Sequence, residues 1–187
     1  MSGYSAYTKI DHILFLPAQS FGLAITTFVG QNLGKNDPKR AKRGVFVGLA
    51  ATLAVTVFLI ALIIPLAPYL VAFFNDKPEV VELGTKMLLW ISPFYILPAI
   101  NQSFCGALRG AGNAKAVMIM TLSSFVVCRQ IYLYVMANFI KNEIIPILIS
   151  YPVGWLICAV CTTTYFMKTR LEKTRIVKEM SKNVNDN

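Results

Sequence analysis

Long apolar runs alternate with short polar islands along the whole chain. The runs cover about 12–33, 44–74, 87–108, 116–140 and 144–167. Each exceeds the roughly 20 residues that a helix needs to cross a hydrocarbon core. Irregular backbone would leave polar groups unbonded in lipid, so the runs predict helices. The expected fold is therefore all-α, a polytopic membrane helix bundle with five transmembrane helices. Residues 1–11 form a short start before the first span, 12–167 a membrane domain, and 168–187 a polar tail. In that tail Ile176, Met180 and Val184 are spaced for one face of a cytosolic helix.

The polar islands carry the charge, and its sign is lopsided. Residues 30–44 read as a loop between the first two spans, and five of the ten residues from Gly34 to Arg43 are Lys or Arg. With the island at 109–115 and the tail, that side of the chain holds thirteen Lys and Arg, whereas the alternate islands hold four. Basic segments stay on the cytoplasmic side. The N-terminus is thus expected outside and the C-terminus in the cytoplasm, in a bacterial inner (plasma) membrane. An odd number of spans starting outside implies at least one preceding helix, with Met1 an internal methionine. The same placement beside the spans accounts for the net charge of +9 without nucleic acid as a partner.

The spans are not uniformly greasy. Pro65 and Pro68 predict a kink, or the exit from the bilayer, late in the 31-residue second run. Asp76, Pro78, Glu79 and Glu82 read as a helix start, with Asp76 as cap and Pro78 in the first turn. Pro93 and Pro98 interrupt the third span, and Asn101 and Gln102 follow. Prolines are common in membrane helices, and amides can simply link them. They also mark places where irregular backbone lines a wet cavity. Gln19 in the first span joins Asn101 and Gln102 as a cavity-lining candidate. Arg129 lies near the middle of the fourth span, where an unpaired guanidinium costs about 2.5 to 3.5 kcal/mol. It is expected to face the interior, paired with carbonyls, amides or a carboxylate from elsewhere, as structural glue or as a charge in an occluded site.

Other chemistry is scarce. Cys105, Cys128, Cys158 and Cys161 all fall inside apolar runs, which fits small packing residues rather than disulfides or a zinc site. The nine acids lie in islands, margins or the tail, and Asp11 alone sits at a span entry. No metal site or cofactor is expected. With one histidine, His12, and no nucleophile beside a base in any span, an intramembrane enzyme is not expected either.

Gly30-Gln31-Asn32-Leu33-Gly34 followed by Arg40-Ala41-Lys42-Arg43 resembles the MATE (multidrug and toxic compound extrusion) transporters. Tyr7-Thr8-Lys9-Ile10-Asp11, Leu108-Arg109-Gly110-Ala111-Gly112 and the fourth-span arginine fit the same family, over about residues 4–170. The resemblance implies the last five of twelve helices, that is, the second lobe without its first helix. The missing N-terminal lobe and that preceding helix would be its partners, with the lipid bilayer around them. It also implies rocker-type export of small organic, often cationic, substrates in exchange for Na+ or H+. Gln31, Asn32, Gly34, Arg109 and Gly110, with Gly30, carry over as motif positions, for helix-end packing rather than substrate contact. Family members often place a coupling carboxylate on the helix matching the third span, and this chain has Asn101 and Gln102 there. A non-transporting five-helix partner subunit and a lipid-linked flippase of the wider superfamily are the alternative readings.

Overall fold

A computed structural model describes residues 2–74, 77–139, 144–169 and 171. Among them every regular element is helical. The order is α1 (Ser2–Gly34), α2 (Pro38–Phe74), α3 (Pro78–Ile91), α4 (Ile96–Gly110), α5 (Ala114–Leu122), α6 (Arg129–Phe139) and α7 (Ile144–Lys168). A single 3₁₀ turn, Ser92–Tyr95, joins α3 to α4, and a π-helical segment, Ser123–Cys128, joins α5 to α6. Among the described residues, four stretches are long and apolar enough to cross a membrane: Asp11–Gly34, Pro38–Phe73, Val80–Gly110 and Ala114–Tyr132. The 25-residue α7 is a fifth long helix. The chain is a multi-pass membrane helix bundle.

Several boundaries differ from the sequence reading, each for a local reason. The basic island is mostly helix rather than loop. Only residues 35–37 connect α1 to α2, because Asn36 takes the left-handed conformation at φ 56° and turns the chain at once. Asn36 N–H donates to Leu33 O, and Asp37 N–H to Asn32 O at 2.9 Å, a Schellman closure of α1. Asp37 Oδ1 then accepts the Arg40 N–H at 2.9 Å and caps α2, with Pro38 at the first helical position. A second turn at the same end repeats the pattern. Gly112, at φ 83°, donates to Arg109 O, and Asn113 donates to Leu108 O at 2.9 Å. An L side chain at Gly112 would be strained, which is why the turn uses glycine.

The residues from Ser2 are already helical and run on into the first candidate span, Asp11–Gly34. Helix α2 continues through Pro65 and Pro68 to Phe74 without leaving the helical conformation. The helix that leads into the third span starts at Pro78, with proline in the first turn as expected, but Lys77 occupies the cap position and gives no side-chain bond. Asp76, the turn at 141–143 and the tail helix beyond residue 171 lie outside the described residues.

The core divides in two along the bundle. One apolar cluster, around Val29, Leu33, Val45, Leu108 and Phe166, sits toward the two Schellman turns. The other, around Ile63, Val71, Leu88, Tyr95 and Trp155, gathers near the 3₁₀ break. Helix α4 is central, packing against α1, α2 and α7. Its approach to α1 is very close: Gly22, Thr26 and Gly30, spaced by four, face Gln102, Gly106 and Gly110, also spaced by four. A Cβ on Gly106 would lie 2.3 Å from Gly22 O, and one on Gly110 2.4 Å from Thr26 O. Small residues at this spacing let two helix backbones touch in a membrane.

Candidate functional site

A layer of buried polar side chains is threaded through this apolar bundle, and α4 supplies its centre. Thr52, Ser103 and Thr162 are fully buried, and Asn101 is 7% exposed. Asn101 Oδ1 accepts from Thr162 Oγ1 at 3.1 Å and from the thiols of Cys105 and Cys158, each at 3.3 Å. The Thr162 hydroxyl has one proton and also lies 2.8 Å from Cys158 O, so its bond is shared between α4 and its own helix. On the opposite side of α4, Ser103 Oγ approaches Thr52 Oγ1 at 3.4 Å, and each hydroxyl also donates to a carbonyl of its own helix. Thr26 Oγ1 lies 3.0 Å from Gly106 O and 2.8 Å from Gly22 O, tying α1 to α4. All these groups are neutral. They can register helices against one another, but they cannot move a charge.

The break above this layer falls at a proline pair. Pro93 removes a backbone donor within the turn itself and Pro98 sits in the first turn of α4, so the change of helix type coincides with this pair, whereas Pro65 and Pro68 leave α2 continuous. Ser92 Oγ donates to Leu88 O, which also accepts the Ser92 N–H, and the chain tightens into 3₁₀ geometry for one turn. That turn presents Tyr95, 2% exposed, whose hydroxyl donates to the Asp11 carboxylate of α1. The acid at the entry to the first span thus meets a buried phenol. The Tyr95 ring packs on Trp155 at 5.6 Å between centroids, and Trp155 on Tyr151 at 6.2 Å. The Arg129 guanidinium lies over the Tyr151 face, 4.1 Å from its centre. A continuous aromatic path therefore links Asp11 on α1 with Arg129 on α6.

Among the described residues, the partner found for Arg129 is a ring face, and its buried Nε makes no hydrogen bond there. A guanidinium is planar and weakly hydrated, so it stacks where an ammonium would not. The π segment immediately before it brings Arg129 to this position, and neither proline nor glycine in Ser-Ser-Phe-Val-Val-Cys announced it.

Of the cavity candidates, Asn101 is interior, Gln102 is half-buried and Gln19 stands on the exposed face of α1. Gln102 Oε1 accepts from Arg109 Nη2 at 3.4 Å, and Arg109 Nε also donates to Cys105 O. Among the motif positions, Gly30 meets the Gly110 backbone, and Asn32 is buried with Nδ2 donating to Phe28 O at 2.7 Å. Gln31 is exposed, and Gly34 ends α1 with open space around it. Thr52, Ser103, Thr162, Tyr95 and Tyr151 were not singled out from sequence. The run Thr162-Thr163-Thr164 inside an apolar helix was the available signal for Thr162. Among the described residues, no three His, Cys, Asp or Glu side chains group to hold a metal.

Comparison with known proteins places these features in context. The MatE family profile matches residues 1–135. The chain is 30% identical over 129 residues to the probable multidrug resistance protein YpnP of Bacillus subtilis, covering 69% of this chain and 29% of that protein. It is 28% identical over 125 residues to the multidrug resistance protein PmpM of Pseudomonas aeruginosa, covering 67% and 26%. With the probable multidrug resistance protein NorM of Thermotoga maritima it shares 25% identity over 178 residues, covering 94% and 38%. The chain thus spans between about a quarter and two fifths of the length of these relatives. Its fold superposes on the crystal structure of the eukaryotic MATE transporter AtDTX14 with a TM-score of 0.86 at 21% identity, over 98% of this chain and 40% of that one. An inward-facing multidrug resistance MATE transporter of the MOP superfamily gives 0.78 at 14% identity, over 88% and 38%.

Proposed function

The chain belongs to the MatE family, and on that footing we propose that it forms the C-terminal helices of a multidrug efflux antiporter of the cell membrane. In this reading the intact protein exports small organic, often cationic, compounds in exchange for Na+ or H+. Alternating access comes from rocking its two lobes. The lopsided basic charge supports an outside N-terminus and a cytoplasmic C-terminus. The names of the relatives, multidrug resistance proteins from several bacteria, support a drug-exporting reading.

The observation that carries the reading is the broken third span with its buried polar layer. A purely anchoring bundle has no use for a helix interrupted at Ser92–Tyr95 above an interior asparagine that bonds to α7. In a transporter, neutral bonds of this kind hold the lobe rigid as it moves. The same layer lacks an acid, so ion coupling falls to carboxylates outside it. Catalysis has no part in this reading.

Proteoliposomes test it. The full-length protein containing these helices, loaded with an imposed Na+ or H+ gradient, should accumulate a fluorescent organic cation. The 187-residue chain alone should not. Gradient-driven accumulation by the chain alone would overturn the assignment of coupling to other helices, and no accumulation by the full-length protein under either ion would overturn the function.

A further inference from the structure

Between α1 and α2, at the end marked by the basic turn, lies a cavity of about 560 Å³. That volume falls within the range of roughly 300 to 1,000 Å³ typical of small-ligand sites. Its lining follows helical spacing on both sides. Helix α1 contributes Phe21, Ala24, Ile25 and Phe28, and α2 contributes Arg40, Arg43, Gly44, Val47 and Gly48. The two glycines make the floor. A Cβ on Gly44 would overlap the Phe28 ring, and one on Gly48 would come 2.6 Å from Ile25 Cγ1, so side chains there would close the space.

The chemistry changes along the groove. From Arg40 to Gly48 the helix rises about 12 Å. Both guanidinium-bearing residues stand at the turn end, where the apolar span begins, and the deeper walls are hydrocarbon and aromatic. Among the described residues, neither arginine takes part in an ion pair; the one found there joins Lys86 to Glu82. An anionic head at the bilayer boundary with an apolar tail directed inward matches this gradient. Arginine forks grip phosphate oxygens in two-bond fashion. Basic pockets between spanning helices are suited to anionic lipid head groups.

We propose that this groove binds an anionic phospholipid, with its phosphate on Arg40 and Arg43 and an acyl chain lying between α1 and α2. An organic cation is excluded by the two positive charges at the mouth. A neighbouring helix would have to bring acids to the same depth. The lipid is the anion that a bilayer already supplies there.

Native mass spectrometry of the full-length protein containing these helices, released from micelles doped with phosphatidylglycerol or phosphatidylcholine of identical acyl chains, tests this. The expected result is roughly tenfold preferential retention of one phosphatidylglycerol. The double variant R40A/R43A should abolish the preference. K39A/K42A removes equal charge from the same two turns, at residues that do not line the groove, and should keep it. Val47→Trp, which fills the groove and spares both arginines, should lose the lipid as well. It keeps the test open if R40A/R43A fails to reach wild-type helicity by circular dichroism. No head-group preference in the wild type would overturn the proposal. So would equal loss in K39A/K42A, which would mark diffuse surface attraction, or full retention in Val47→Trp.

Discussion

Substituting alanine along the α1–α4 contact should yield a graded series set by distance alone. At Gly106 the added methyl would sit 2.3 Å from Gly22 O, whereas ordinary contact begins at 3.4 Å, so the helices must part by about 1 Å. The obstacle is backbone and cannot swing aside. Overpacking of this kind costs about 1 to 3 kcal/mol. Separation also stretches the 3.0 Å bond from Thr26 Oγ1 to Gly106 O, worth about 0.6 kcal/mol in a membrane. Alanine regains up to about 1 kcal/mol of helix propensity, leaving a net loss of about 1 to 3 kcal/mol. Gly110→Ala, at 2.4 Å from Thr26 O, should match it, and Gly22→Ala, at 3.0 Å from Gln102 O, should lose less. Gly30→Ala, at 3.6 Å, and Gly34→Ala, with nothing within 4 Å, should be neutral or slightly stabilising. Equilibrium unfolding in mixed lipid and sodium dodecyl sulfate micelles, followed by the fluorescence of Trp90 and Trp155, reads the order directly. If Gly106→Ala proved as stable as Gly30→Ala, or Gly34→Ala fell as far, the steric account of the contact would be wrong.

Three further expectations follow from the described contacts. Asp37→Ala removes the cap on α2 and should cost about 1 kcal/mol in the same unfolding assay, with Asp37→Asn largely restoring it. Arg129→Leu and Tyr151→Leu should show a coupling of about 0.5 to 2 kcal/mol in a double-mutant cycle, while Tyr151→Phe, which keeps the ring face, preserves the coupling to Arg129. Additive losses would refute the stacking. Finally, single cysteines at Lys39 and Lys77, in a background with the native cysteines replaced, should react with a membrane-impermeant maleimide from opposite sides. Labelling from one side alone would undo the charge-derived orientation.

The helical class and the multi-pass character were legible because lipid leaves little freedom: uncharged runs this long have few other destinations. The break at Pro93 and Pro98 was legible for a similar reason, since proline withdraws its donor in any context. What stayed hidden depended on partners distant in sequence. Asn101 was visible as a polar residue in a span, but its bond to Thr162 arises only when α4 meets α7. Arg129 was conspicuous, yet the ring that holds it is 22 residues away on another helix. The loop at 30–44 was over-extended because five basic residues read as solvent-exposed coil. Once Asn36 reverses the chain and Asp37 caps, a charged first turn is equally good helix. Asp11 was marked as an interfacial acid, and its partner Tyr95 emerged only from the 3₁₀ turn that rotates that residue inward.

The wide turn at Ser123–Cys128 has an effect on the phase of everything after it. A π segment accommodates one more residue than the α-helix it replaces, and each residue advances the side-chain direction by about 100°. Above and below it, the fourth span therefore keeps two separate facial registers. A helical wheel drawn straight through from Ala114 to Phe139 would point Arg129 and Tyr132 at the wrong neighbours. Deleting a single residue within the segment would bring the two halves back into one phase and swing the guanidinium off its ring.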